Sequence, residues 1–167
     1  MPLYRAAETT FAYCEETMEK AVIISIKGRQ EFENVPADSM ELLTQGTLEV
    51  ENGMISLSYQ ESEVTGMEGT LTTIHVEPDG ERVTLMRFGG YNSQMVFEEG
   101  RRHLSMYNTP YGSMSVGVNT RHLLADLDER GGVIEIDYTI EIEHAIVGRN
   151  VFRIQVKEAS GSGSLKQ

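Results

Sequence analysis

The chain has 167 residues, a single-domain length, and its 14 Lys and Arg against 26 Asp and Glu give a formal net charge of −12. This charge repels phosphate backbones and anionic headgroups, so neither nucleic acid nor a membrane surface is an expected partner. The single cysteine cannot form an internal disulfide, and the N-terminus lacks a secretory pattern. We therefore expect a cytoplasmic protein, and the sequence leaves its oligomeric state open.

Residues 1–18 differ in pattern from the rest of the chain. Their apolar residues recur every three or four positions, which predicts a short amphipathic helix: Tyr4, Ala7, Phe11, Cys14 and Met18. Because MEKAVIISIKG reads as a natural opening, both Met1 and Met18 stay open as the native start. At the other end, the Gly-Ser-Gly-Ser run predicts a flexible tail over residues 158–167.

Residues 19–157 form one predicted β domain. The Asn52-Gly53 pair is a strong signal for a two-residue hairpin turn. Short segments that alternate apolar and polar residues predict strands near 21–31, 42–50, 54–61, 68–77, 82–88, 93–98, 102–109, 112–124, 133–143 and 150–157. Strands with one apolar face, joined in meander order, favour a closed antiparallel barrel of 8–10 strands, because closure removes exposed edges. A two-sheet sandwich is the alternative fold.

Several polar residues fall in phase with the apolar face of their strands. Arg87 follows Val83 and Leu85 in alternation, while Leu104 and Met106 give the inward phase of their own strand. The candidate ligand-binding residues in the lumen are Glu61, Glu68, Thr70, Thr72, Arg87, Asn108, Thr120 and Tyr138. Because these polar residues share the inward-facing phase of their strands, the sequence predicts a partly polar barrel interior.

A buried charge without a partner is costly, so Glu61 or Glu68 needs Arg87 or water nearby. One interpretation is a binding lumen in which Arg87 pairs with the carboxylate or phosphate of a ligand. The other is a structural cluster where strand ends meet solvent at one end of the barrel.

The sequence contains no recognisable motif for catalysis, phosphate binding or metal binding. The sequence has no glycine-rich phosphate loop, and its four histidines lie at least 19 positions apart. Ser115 lacks the strained turn of a nucleophile elbow. In the Asp126–Gly131 turn, Arg130 occupies a position that a calcium loop reserves for a ligand. We therefore predict no catalytic residue, no metal and no cofactor.

A family resemblance rests on several segments in order. These are Tyr59-Gln60-Glu61, residues 66–70, the run SQMVFEEGRRH at 93–103, YNTPYG at 107–112, and Gly131-Gly132 before the strand at 134–142. Over residues 20–157 the chain resembles the YwiB-like family of bacterial proteins; residues 1–18 depart from it. The resemblance implies a calycin-like β-barrel, related in shape to lipocalins and fatty-acid-binding proteins, in the cytoplasm of Gram-positive bacteria. It implies no activity, so no catalytic residue carries over.

Three functions follow from this reading, in decreasing order of support. The first is binding of a small apolar or amphipathic molecule in the lumen, since barrels of about eight strands hold one small ligand or are filled by side chains. The second is a protein-interaction barrel with a filled lumen, which would use residues 107–111 or the N-terminal helix as its contact surface. The third is an enzyme with a lumen Glu as general base and Arg87 as the stabiliser of developing charge.

Overall fold

The structure is a computed structural model that describes residues 17–159. Each strand pairs antiparallel with the next along the chain, and the last pairs with the first to close a barrel. The closed barrel is confirmed, and the sandwich is excluded. The ten strands are β1 Thr17–Phe32, β2 Val35–Glu51, β3 Met54–Gln60, β4 Thr70–Val76, β5 Val83–Gly89, β6 Asn92–Phe97, β7 Arg102–Thr109, β8 Gly112–Asp128, β9 Gly131–Ile142 and β10 Ala145–Glu158.

Hairpins alternate between the two ends of the barrel because each strand pairs with its sequence neighbour. The connections after β2, β4, β6 and β8 lie at what we call the closed end, where apolar side chains fill the interior: Val22, Leu48, Val83, Phe97 and Ile134, each at most 1% exposed. The connections after β1, β3, β5, β7 and β9 lie at the opposite end, which we call the open end.

Two tight hairpins show how local conformation sets the turns. Asn52 and Gly53 both have positive φ, 53° and 85°, as the sequence predicts for the turn between β2 and β3. Glu143 and His144 have φ of 53° and 69° between β9 and β10, without a glycine. Sequence signals therefore identify the first turn but not the second.

Several strands are longer than their apolar pattern indicates, and β2 and β8 show why. β2 begins at Val35 instead of 42, and β8 continues to Asp128 instead of 124. Residues 35–39 are all exposed, and the stretch extends as a strand because its backbone pairs with β1. In β8 a bulge between Thr120 and His122 shifts the alternation, so its later residues face inward in a new phase.

The predicted orientation of β7 is wrong. Leu104 and Met106 are 68% and 56% exposed, whereas Ser105 is buried. β6 pairs with β7 at only two positions, so β8 sets the orientation of β7, with Ser105 opposite Val116. Directly opposed residues share a face of the sheet, and this register turns the large apolar side chains of β7 outward.

The predicted N-terminal helix lies outside the described residues except for Thr17 and Met18, which begin β1 ahead of the predicted boundary at residue 19. Residues 160–167 of the predicted tail also lie outside, while Glu158 ends β10. Between residues 17 and 159, no helix is long and apolar enough to cross a membrane.

Carboxylates on the outer wall of the barrel should make the free energy of unfolding depend on pH in the acidic range. Hydrogen bonding from Asn119, and then from Arg102, lowers the pKa of Glu141, and hydrogen bonding from Arg149 lowers that of Asp137. A depressed folded-state pKa adds stability that is present above the unfolded value and lost as pH falls through the folded value.

We therefore expect Glu141→Gln to lose less stability than wild type on acidification from about pH 5 to 3. Urea unfolding at both pH values measures this, with the exposed turn variant Glu129→Gln as the control. Equal acid losses in wild type and Glu141→Gln would contradict the assignment.

Candidate functional site

A cavity of about 390 Å³ occupies the lumen between the closed-end core and the open end. Its volume lies in the range of small-molecule sites, roughly 300–1,000 Å³. The deep wall is apolar and comes from facing strands: Ile26, Leu42, Ile74, Leu85, Met95, Val116, Ile136, Phe152 and Ile154. Near the open end the lining comes from strand ends and the loop at residues 61–69: Phe32, Met40, Thr65, Met67, Ile142 and Val147.

Glu61 is the buried carboxylate of this cavity. It follows β3 directly and continues the inward alternation of Leu57 and Tyr59, with its backbone N–H donating to the carbonyl of Thr70 at 2.8 Å. The Thr65 hydroxyl donates to Oε1 at 2.9 Å, and the Thr72 hydroxyl donates to Oε2 at 2.5 Å. Each carboxylate oxygen therefore already has a hydroxyl donor.

Strand register brings Arg87 to this carboxylate. Tyr59 lies opposite Thr72, and Thr72 lies opposite Arg87, so the three side chains form one row across β3, β4 and β5 on the lumen face. Arg87 Nε lies 3.8 Å from Glu61 Oε2, and the two side chains are only 15% and 1% exposed. The buried Nε has no hydrogen-bond partner. The site thus holds an ion pair with one unsatisfied donor.

A second polar row crosses β8, β9 and β10. Thr120 lies opposite Tyr138, and Tyr138 lies opposite Asn150; each is 3% exposed. The Tyr138 ring packs against Phe97 and Phe152 at centroid distances of 4.8 and 6.1 Å. Thr120 Oγ1 and Asn150 Oδ1 have no hydrogen-bond partner, although both are buried. Asn150 also lines the cavity.

Two buried tyrosines in the lumen stay protonated at neutral pH. Burial raises the pKa of Tyr138 to about 12, while hydrogen bonding from Asn150 and the charge of Arg87 oppose the rise. Burial and then the charge of Glu61 raise the pKa of Tyr59 well above its ordinary value. Neither phenol therefore acts as a base at neutral pH.

Six of the eight candidate residues lie on lumen-facing positions. Glu61, Arg87 and Tyr138 line the cavity, and the structure brings Glu61 beside Arg87, the partner that its burial requires. The other three are buried in the wall around the cavity: Thr70, Thr72 and Thr120. The Thr70 hydroxyl accepts a hydrogen bond from the Tyr91 N–H at 3.2 Å, so it holds the connection between β5 and β6.

Glu68 and Asn108 do not face the lumen, which corrects the prediction for both. Glu68 is exposed in the loop at residues 61–69, because β4 begins only at Thr70 and strand alternation does not extend into the loop. Asn108 is exposed because β7 has the opposite orientation to the predicted one.

Asn150 and Thr65 are among the polar residues of the site that sequence reasoning missed. Asn150 is in phase with Phe152 and Ile154 on β10, so extending that alternation by one step would have found it. Thr65 reaches Glu61 through the fold of the loop at residues 61–69, which no periodic pattern encodes. Across the described part of the chain, no three His, Cys, Asp or Glu side chains are grouped to hold a metal ion.

Comparison with known proteins places this geometry in a family. Residues 24–154 match the model described as "Domain of unknown function (DUF1934)". The chain belongs to the DUF1934 family. A relative, the "Uncharacterized beta-barrel protein YwiB" of Bacillus subtilis (strain 168), is 27% identical over 126 residues, which span 75% of this chain and 81% of YwiB. The resemblance to YwiB-like proteins is confirmed.

A solved structure supports the architecture independently. The crystal structure of the ywiB protein from Bacillus subtilis matches with a TM-score of 0.74 at 22% identity, and the match covers 84% of this chain and 93% of that one. At this identity the match establishes the shared barrel and nothing finer. The match therefore assigns no function to this DUF1934 chain.

Proposed function

We propose that this DUF1934 protein binds a small apolar or amphipathic molecule in the lumen of its barrel. The observation that carries the proposal is a cavity of about 390 Å³ with a largely apolar wall, two of whose lining residues, Arg87 and Asn150, hold a buried polar atom without a partner. Empty apolar space and unpaired buried polar groups each reduce stability. A ligand with an apolar body and a polar end would offset both costs.

The arrangement of the cavity gives the two parts of such a ligand different places. Arg87 and Glu61 lie on the open-end side of the cavity, at and beyond the last residues of β5 and β3. The deep wall is apolar down to Val83 and Phe97. The apolar body therefore points toward the closed end, and the polar group contacts Arg87 and Glu61.

Protein interaction is the second candidate. Exposed apolar side chains at the open end favour it: Phe32, Val35, Val64, Tyr111 and Ile146. It ranks lower because a protein-interaction barrel predicts a lumen filled by side chains, whereas the cavity leaves this lumen partly unfilled. Catalysis by Glu61 has least support, since both of its carboxylate oxygens already accept hydrogen bonds from threonine hydroxyls.

Two methionines on neighbouring strands give a matched test of lumen binding. Met114 lines the cavity and is 49% exposed, whereas Met106 points outward and is 56% exposed. N-phenyl-1-naphthylamine, an uncharged fluorescent probe, should bind wild type with enhanced fluorescence. Met114→Trp should weaken that binding by about tenfold, because the larger ring narrows the lumen, and Met106→Trp should leave it unchanged.

Native mass spectrometry of freshly purified protein complements the titration, and a co-purifying mass is the expected result. Absence of both a co-purifying mass and probe binding would overturn the proposal. Equal loss of binding in the Met114→Trp and Met106→Trp variants would show that the probe binds outside the lumen.

A further inference from the structure

The charges inside the cavity already balance. Glu61 and Arg87 are the only charged side chains among the described residues that line it, and their 3.8 Å separation makes them a neutral pair. An anionic ligand would add a second negative charge to an apolar site with no further cation, which carries a large desolvation cost. The net charge of −12 also opposes the approach of an anion.

Two of the residues that line the cavity each carry one buried side-chain atom without a hydrogen-bond partner, and the two atoms have opposite hydrogen-bonding character. Arg87 Nε is a donor without an acceptor, and Asn150 Oδ1 is an acceptor without a donor. Tyr138 lies opposite Asn150 on the neighbouring strand, and both residues line the cavity together with Arg87. A ligand group that satisfies both atoms needs an acceptor for Arg87 and a donor for Asn150.

We infer that the ligand is an uncharged amphipathic molecule whose polar group both donates and accepts hydrogen bonds, as a carboxamide or a hydroxyl compound does. The inference rests on the proposed function and narrows its ligand class. It also replaces the expectation that Arg87 pairs with a ligand carboxylate or phosphate, because Glu61 already occupies that role.

Three compounds of equal chain length separate the alternatives. Octanamide is neutral and both donates and accepts, methyl octanoate is neutral and only accepts, and octanoate is an anion at pH 7.5. Each is titrated against wild type carrying N-phenyl-1-naphthylamine. We expect octanamide to displace the probe at a concentration at least about tenfold lower than either of the others, since a buried polar atom left unpaired costs on the order of tenfold or more in affinity.

Asn150→Leu tests the donor contact directly. This variant should reduce octanamide to the affinity of methyl octanoate, while methyl octanoate itself is unchanged. The control is Gln155→Leu, which removes an exposed amide from the same strand and should preserve the wild-type order. The order of the three compounds on wild type decides the inference even if Asn150→Leu does not fold.

The outcomes separate the two proposals. Probe binding with octanoate as the strongest competitor, or with no displacement by any of the three, would overturn the neutral ligand class and leave lumen binding intact. Failure of the probe to bind, together with the absence of a co-purifying mass, would overturn the proposed function.

Discussion

Arg87→Met should lower the free energy of unfolding by about 3 kcal/mol, because it leaves the Glu61 carboxylate buried without its cation. The Glu61 side chain is only 1% exposed, so little solvent reaches its carboxylate in the folded protein. The hydroxyl donors Thr65 and Thr72 remain, but neither supplies a positive charge. Urea unfolding monitored by circular dichroism measures the loss.

The double variant Arg87→Met/Glu61→Gln should recover at least half of this loss, because a neutral amide needs no counter-charge. Arg130→Met provides the control: it breaks an ion pair with Asp128 whose side chains are 81% and 61% exposed, and should change stability by less than about 0.5 kcal/mol. If Arg87→Met costs no more than Arg130→Met, the lumen pair does not behave as a buried pair.

Gly132→Ala should be the most destabilising single methyl addition in the β8–β9 hairpin, at about 4 kcal/mol. Gly132 has φ of 145°, a conformation that residues with a side chain rarely adopt. An added Cβ would also overlap the carbonyl oxygen of Asp126 on the paired strand. The backbone strain and the steric overlap would both disturb the first residues of β9. This strand carries Tyr138 and the inward-facing isoleucines.

Gly100→Ala separates the two contributions. Gly100 also has positive φ, 78°, yet an added Cβ would meet no atom within 4 Å. This variant should therefore cost only the conformational term, about 1 kcal/mol. Thermal and urea unfolding of both variants give the difference. Losses of similar size in Gly132→Ala and Gly100→Ala would show that β8 moves aside without cost.

Much of the site follows from alternation along single strands. Glu61 after Tyr59, Thr72 before Ile74, and Arg87 after Leu85 were predicted to face inward, and they do. In these strands the apolar residues are regular and buried, so a side chain two positions away must share their face. The cost of an unpaired buried carboxylate predicted that Glu61 or Glu68 would have Arg87 or water nearby, and the structure places Glu61 beside Arg87.

The predicted side-chain directions are wrong where contacts with another part of the chain decide which way a residue points. The register with β8 sets the face of β7, and so Leu104, Met106 and Asn108 point outward against the pattern of their own strand. Glu68 lies in a loop whose path depends on its internal hydrogen bonds, such as Thr65 N–H to Ser62 O at 3.2 Å. The orientation of β7 and the path of this loop thus depend on residues that are far apart in sequence or lie outside regular strands.

The sequence by itself determined the class of fold and the meander order of strands, because period-two patterns and turn residues act locally. It left open whether Glu61 or Glu68 would lie beside Arg87. Only the tertiary structure decided that an unfilled cavity remains and that two of its lining residues, Arg87 and Asn150, each keep a buried polar atom without a partner. The physical reason is that packing and hydrogen-bond satisfaction depend on how ten strands close around one another, and no single segment encodes that closure.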